Sequence, residues 1–257
     1  MLAKRVIPCL DVHDGAVTRG VQFGRAEEGG LRNVGDPVEL AVRYDKQGAD
    51  EMVFFDITAS AHGRDTIVDV MGRVASRCFM PLTVGGGIRT VEDMGSMLKA
   101  GADKISINSA ALSKPELIRE GAEKFGSQCI VVSVDAKKTG GDKWGVISHG
   151  GRKETGLDVV EWSARAVELG AGEIVLNCMN QDGVKKGYDI QQLKIMRADA
   201  NIPIIASGGA GEMEHFVEVF QISNVSGALA ASVFHKDIIK INELKEYLRD
   251  NEIEVRL

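Results

Sequence analysis

The chain has 257 residues, 44% hydrophobic and 26% charged, with a formal net charge of −6. This is the composition of an ordinary globular protein with apolar material for one large core, and its acidic balance argues against a nucleic-acid partner as the main function, which would demand a basic stripe, while leaving room for a local cationic pocket. No apolar stretch is long enough to span a bilayer, Met1–Arg5 carries no signal region, and Cys9, Cys78, Cys129 and Cys178 lack CxxC spacing, so a cytoplasmic chain with reduced thiols is expected, without membrane, zinc or disulfide framework.

In chain order, short β-branched runs alternate with amphipathic segments. The first strand is predicted over Lys4–Val12. A long glycine-bearing connection then runs from His13 to Gly35, and Asp36-Pro37 reads as an N-cap followed by proline at the first helical position of Pro37–Gln47. Strands follow at Glu51–Ile57, Pro81–Val84, Lys104–Asn108, Ile130–Asp135, Glu173–Leu176, Ile202–Ala206 and Gly227–Ala231. Helical patterns lie between them at Val91–Lys99, Pro115–Phe125, Asp158–Leu169, Ile190–Ala198 and Met213–Phe220. The strands are hydrophobic nearly throughout, as strands buried on both faces of a parallel sheet must be. An open doubly wound sheet would call for G-x-G-x-x-G after the first strand, and Asp11-Val12-His13-Asp14-Gly15 is not one.

An internal repeat decides the organisation. Residues 49–54 align with 171–176 and residues 81–87 with 203–209, both at an offset of about 122, and 7–11 align with 131–135 at nearly the same offset. No linker or composition shift separates the halves. The expectation is an α/β fold with one domain over 1–257: an eight-stranded (βα)8 TIM barrel made of two four-unit half-barrels.

Function in such a barrel sits at the C-terminal ends of the strands. Asp11 and Asp135 end strands one and five, on opposite flanks of the mouth, as an acid–base pair would. An aspartate there also suits a loop cap; the repeat-equivalent placement of both favours chemistry. Gly86 and Gly87 after strand three, and Ser207, Gly208 and Gly209 after strand seven, read as phosphate loops. Asn108-Ser109 after strand four and Ala231-Ser232 after strand eight each stand where a short helix could begin and offer free N–H groups. Two equivalent anion sites imply a long bisphosphate ligand; the plainer alternative is tight turns. The His13–Gly35 segment reads as a lid, with Arg19 as a phosphate clamp or a solvated charge. Near the strand starts, Arg5, Glu51, Lys104 and Glu173 read as a mutually paired salt-bridge ring. The five histidines show no metal-like spacing, and neither metal nor cofactor is called for.

These segments resemble a known family. Ala3-Lys4-Arg5, Pro8-Cys9-Leu10-Asp11-Val12, Val84-Gly85-Gly86-Gly87-Ile88, Lys104-Ile105-Ser106-Ile107-Asn108, Ala206-Ser207-Gly208-Gly209-Ala210-Gly211 and Ala231-Ser232-Val233-Phe234-His235 are similar to the cyclase subunit of imidazole glycerol phosphate synthase, over essentially the whole chain. The resemblance implies histidine biosynthesis, with a bisphosphate ribulosyl substrate, ammonia from a partner glutaminase, Asp11 and Asp135 as the acid–base pair, and Asp182-Gly183 in the active site. It also implies that Arg5, Glu51, Lys104 and Glu173 gate the ammonia entrance, which raises that reading above the structural one. Arg19 stands where many relatives carry lysine, which alters reach and hydrogen-bond geometry. Asn177 stands in a segment that contains Thr-Ser in some members and keeps the capacity to donate and accept. The sister isomerase, with the same fold and two phosphate sites, needs no ammonia, and the floor charges tell against it. A non-catalytic phosphate-binding barrel leaves the two aspartates unexplained.

Overall fold

A computed structural model describes residues 2–13, 15–19, 32–57 and 61–257, with residues 19, 32 and 61–66 described in their backbone alone. Eight parallel strands run around a barrel in chain order: β1 (Arg5–His13), β2 (Met52–Asp56), β3 (Leu82–Gly85), β4 (Lys104–Ile107), β5 (Ile130–Gly140), β6 (Glu173–Cys178), β7 (Ile204–Ser207) and β8 (Gly227–Ala230). β8 closes on β1 through the register Arg5↔Gly227 to Pro8↔Ala230. The outer ring comprises α1 (Pro37–Lys46), α2 (Ala61–Ala75), α3 (Val91–Lys99), α4 (Glu116–Phe125), α5 (Val159–Glu168), α6 (Ile190–Asp199), α7 (Met213–Ser223) and α8 (Ile241–Asp250). The expected barrel is therefore present; α2 and α8 are elements that the sequence patterns did not single out. Among the described residues no helix is long and apolar enough to cross a membrane.

The repeat is written into local chemistry. Asp36 caps α1 by accepting from the Val38 and Glu39 amides at 2.9 and 3.0 Å, and Asp158 caps α5 by accepting from Val160 and Glu161 at 2.8 and 3.3 Å. Each cap contributes on the order of 1 kcal/mol. Both helices end on a glycine that must take positive φ, Gly48 at 81° and Gly170 at 106°, and the next amides, of Ala49 and Ala171, reach back to Tyr44 and Ala166 carbonyls at 3.0 Å.

Alternation along the strands separates two apolar layers. Val6, Leu10, Phe54, Val84, Ile105, Val132 and Ile174 face the helices. Ile7, Cys9, Val53, Val131, Val175, Ile205 and Leu229 form a smaller cluster of their own, the lumen of the barrel. Odd positions of β1 and β5 thus point inward, which carries Asp11 and Asp135 to the lumen's upper end.

The ends of β1 and β5 differ from expectation. Neither strand stops at its aspartate. β1 continues to His13 and pairs antiparallel with Ala16–Arg19, which pairs with Arg32–Gly35; β5 continues to Gly140 and pairs with Lys143–Ser148, which pairs with Lys153–Asp158. Asp11 (opposite Thr18) and Asp135 (opposite Ile147) each sit where a strand leaves the barrel and enters an antiparallel arm. The segment read as one lid loop therefore contains two strands; its residues 20–31, and the side chain of Arg19, lie outside the described residues.

Candidate active site

From floor to mouth, the lumen holds three polar layers. At the floor, Arg5 bridges Glu51 at 2.7 Å and Glu173 at 2.6 Å, and Lys104 Nζ lies 2.9 Å from Glu51 and 3.2 Å from Glu173. Thr83 adds a hydroxyl donor to Glu51 Oε1 at 2.7 Å. Burial works against the Arg5 charge, yet Glu173 and Glu51 hold its pKa above the ordinary value. The ring read from the sequence is thus assembled and mutually paired. Gly227, opposite Arg5 in the β1–β8 register, leaves the space this requires: a Cβ there would come within 2.8 Å of Ile205, 3.0 Å of Ile7 and 3.3 Å of Arg5.

Above the floor, among the described residues, the lumen is apolar except for one seam. Ser106 on β4 and Ser133 on β5 share a hydrogen bond of 2.6 Å, both buried. With Lys104 below, and Asn108 and Asp135 above, they form a polar track along β4 and β5. Sequence reasoning passed over Ser106, Ser133 and Thr83; the period-2 pattern Lys104, Ser106, Asn108 in an otherwise apolar strand was the signal that marks them.

At the mouth, Asp135 is buried and gripped by two amides: Asn108 Nδ2 donates to Oδ2 at 2.8 Å, and Asn177 Nδ2 donates to Oδ1 at 2.9 Å. Burial raises its pKa to about 6, against those two bonds and with help from Asp182. Burial and then Asp182 raise the half-buried Asp11 to about 7. Asp182, on the β6–α6 connection, is thus a carboxylate within electrostatic reach of both. Cys9, one inward step below Asp11, is held a neutral thiol by burial and by Asp11 and Asp182. The arrangement is chemically asymmetric: one carboxyl fixed by neutral donors, one without a hydrogen-bond donor among the described residues, and a third anion that favours a proton on each.

The glycine loops occupy repeat-equivalent positions. Gly86 and Gly208 take φ of 93° and 90°, and Gly87 and Gly209 take 67° and 113°. At Gly86 a Cβ would lie 2.1 Å from the Asp56 carbonyl, and at Gly209 2.0 Å from that of Gly187, so these glycines serve close backbone approach whether or not an anion binds. Short helices do begin where expected, at Ser109–Ser113 and Ser232–His235. Ser109 Oγ accepts from the His149 amide at 2.9 Å, tying the β5 arm to this corner. Gly183 follows Asp182 with φ of 73°, Ser207 ends β7, and Ala231 precedes Ser232 at the β8 corner. Behind the second corner, a chain of edge-on and tilted ring contacts runs from Tyr188 to Phe216 (5.7 Å), Phe234 (6.0 Å) and Tyr44 (6.4 Å), and the Tyr44 hydroxyl lies 2.7 Å from His235 Nδ1. Asn108 and Asn177, expected to bind substrate, stand at the mouth with their side-chain amides donating to Asp135.

Comparison with known proteins is consistent along the whole chain. The family model described as histidine biosynthesis protein matches residues 5–240. The imidazole glycerol phosphate synthase subunit HisF of one Bacillus cereus strain is 55% identical over 257 residues, covering 100% of both chains, and that of another strain is 56% identical over the same span.

Proposed function

Because the chain belongs to the histidine biosynthesis protein family, as a cyclase subunit of imidazole glycerol phosphate synthase, we propose that Asp11 and Asp135 carry out its acid–base chemistry on a bisphosphate held across the barrel mouth. The substrate is the open-chain phosphoribulosyl formimino aminoimidazole carboxamide ribotide. Ammonia attacks it, the adduct is cleaved and the imidazole ring closes, giving imidazole glycerol phosphate and aminoimidazole carboxamide ribotide. Addition, cleavage and closure each move protons. At neutral pH Asp11, raised to about 7, keeps a substantial protonated fraction and serves as the acid, while Asp135, raised to about 6, is mostly ionised and serves as the base. The observation that carries this reading is the pair of carboxyls at the repeat-equivalent ends of β1 and β5, on the positions that point into the lumen, with the carboxylate of Asp182 within electrostatic reach of both. One phosphate lies at Gly86, Gly87, Asn108 and Ser109, and the other at Gly183, Ser207, Gly208, Gly209, Ala231 and Ser232, with Arg19 as a clamp from the β1 arm.

Ammonia enters at the opposite end. The ring of Arg5, Glu51, Lys104 and Glu173 is the gate, and the Ser106–Ser133 seam offers the one polar wall of the path. Asn108 Oδ1, buried and without a hydrogen-bond partner among the described residues, is an acceptor for ammonia arriving beside Asp135. A glutaminase subunit docks around the gate, where Phe79, 92% exposed just before β3, and Leu2 beside β1 present apolar surface. The assembly is a cytoplasmic heterodimer. Incubating the chain with the ribulosyl substrate and an ammonium salt tests the reading: imidazole glycerol phosphate is the expected product, and isomerised substrate with no ammonia consumed would point to the sister isomerase instead.

A further inference from the structure

The connection between β6 and α6 carries Asp182, and both of its ends are fastened to the arm of β5. At the start, Asn180 Oδ1 accepts from the Lys138 amide at 2.7 Å, and the Met179 amide donates to the Ala136 carbonyl at 3.0 Å. At the far end Asp189 divides its carboxylate. Oδ1 caps α6 by accepting from the Gln192 amide at 3.1 Å, and Oδ2 accepts the indole N–H of Trp144 at 3.1 Å. Lys138 and Trp144 face each other on one rung of the β5 hairpin, with the Lys138 ammonium 5.5 Å above the indole ring. Trp144 is only 3% exposed, and a buried indole N–H needs an acceptor, so its bond to Asp189 is specified rather than incidental. The strand that supplies this rung is the strand that bears Asp135 three residues earlier. One rigid hairpin therefore presents a catalytic carboxylate and holds both ends of the loop that presents the third.

We propose that Trp144, acting through Asp189 and together with Asn180, is a positioning residue that fixes the distance of Asp182 from Asp135 and Asp11. This rests on the acid–base reading of Asp11 and Asp135. Among the described residues, Asp11 and Cys9 on β1 and Asp135 on β5 feel the charge of Asp182. Like charges repel less as they separate. For two carboxylates about 6 Å apart at an effective dielectric constant near 20, each further ångström of separation lowers the pKa by about 0.3, so a retreat of Asp182 lowers that of each neighbouring aspartate. Loosening the loop thus moves both limbs of the rate profile toward acid.

Trp144→Phe removes the N–H and keeps an aromatic ring in the core. With ammonium salt as the nitrogen source, its kcat profile is expected to shift toward acid by about 0.3–0.6 of a pH unit, with kcat at pH 7.5 reduced about two- to threefold and KM changed less than about twofold. Asn180→Ala releases the other end without touching the indole and is expected to give the same shift, so a folding defect in one variant leaves the other as the test. Added to Asp182→Asn, Trp144→Phe should move the limbs no further. Gln191→Ala, which removes the exposed contact of Gln191 with Asp142 on the same hairpin, should move nothing. Unmoved limbs in both folded single variants, or an undiminished shift in the Asp182→Asn background, would overturn the proposal. Near-normal turnover by Asp135→Asn would instead overturn the reading beneath it.

Discussion

The two ends of the barrel lumen use the same side chains to opposite ends. At the floor, all four carboxylate oxygens of Glu51 and Glu173 meet Arg5 or Lys104, and Thr83 adds a hydroxyl to Glu51. At the mouth, Asp135 meets two neutral amides, Asp11 meets no hydrogen-bond donor among the described residues, and Asp182 repels both. Burial is common to the two ends; the counter-charge is not. Where cations accompany the carboxylates their charges are mutually compensated, and where they do not, burial and a neighbouring carboxylate raise the carboxyl pKa toward neutral. Paired and unpaired carboxylates are thus separated along one axis only a few strand residues long.

The contrast predicts opposite signatures for substitutions at the two ends. Asp135→Asn and Asp11→Asn should each lower ammonium-driven turnover by about 10³-fold or more while leaving the bisphosphate KM within about threefold; steady-state assays that found near-normal turnover would erase the distinction. At the floor, Glu51→Gln leaves two cations facing one carboxylate. It should destabilise the chain by roughly 3 kcal/mol in urea unfolding and keep ammonium-driven turnover within about tenfold, because the proposed acid–base pair lies at the other end. Glutamine-driven turnover with a partner subunit should suffer more.

A third prediction concerns stability at the mouth. A carboxyl whose folded pKa lies above its unfolded value binds its proton more tightly in the native state. Its stabilising contribution is complete below the unfolded pKa of ~3.9 and is lost as pH rises through about 6 for Asp135 and about 7 for Asp11. Tm should therefore fall between pH 5.5 and pH 8, and Asp11→Asn, though inactive, should be more stable than the parent at pH 8 by on the order of 1–2 kcal/mol. A parent Tm flat across that range would contradict the raised values. The smallest effect expected is in the shape of the profile: kcat should be bell-shaped, with apparent limbs near the same two values. Those limbs belong to the interacting carboxylates as a set. Asp182→Asn should move both toward acid.

Much of this was legible in the sequence, for physical reasons. The continuous hydrophobicity of the strands reported burial on both faces, and the repeat reported the closure into half-barrels. Asp36-Pro37 announced its cap because proline and aspartate each admit few other uses there. The floor ring was legible because Arg5, Glu51, Lys104 and Glu173 fall at strand starts. What escaped detection depended on pairing between strands. Asn177 holds Asp135 because β5 and β6 align the two in register, and nothing local to either residue says so. The β5 arm escaped because the strand was ended at its aspartate, although Gly141-Asp142 between Gly140 and Lys143 is a two-residue hairpin turn. Trp144 on that arm then carried no visible connection to Asp182, which lies 38 positions along the chain.

Gly227 shows where the twofold design has to be abandoned. Its counterpart in the other half is Lys104: Thr83 pairs with Lys104 between β3 and β4 as Ile205 pairs with Gly227 between β7 and β8. Arg5 likewise corresponds to Cys129. Were both halves to keep their cations, four would crowd against two carboxylates in a space with little water to screen them, and the excess of positive charge would repel itself. An ancestor assembled from identical halves would therefore have been under electrostatic pressure to diverge first at its base, and erasing one lysine side chain to a hydrogen atom relieves charge and crowding in a single change.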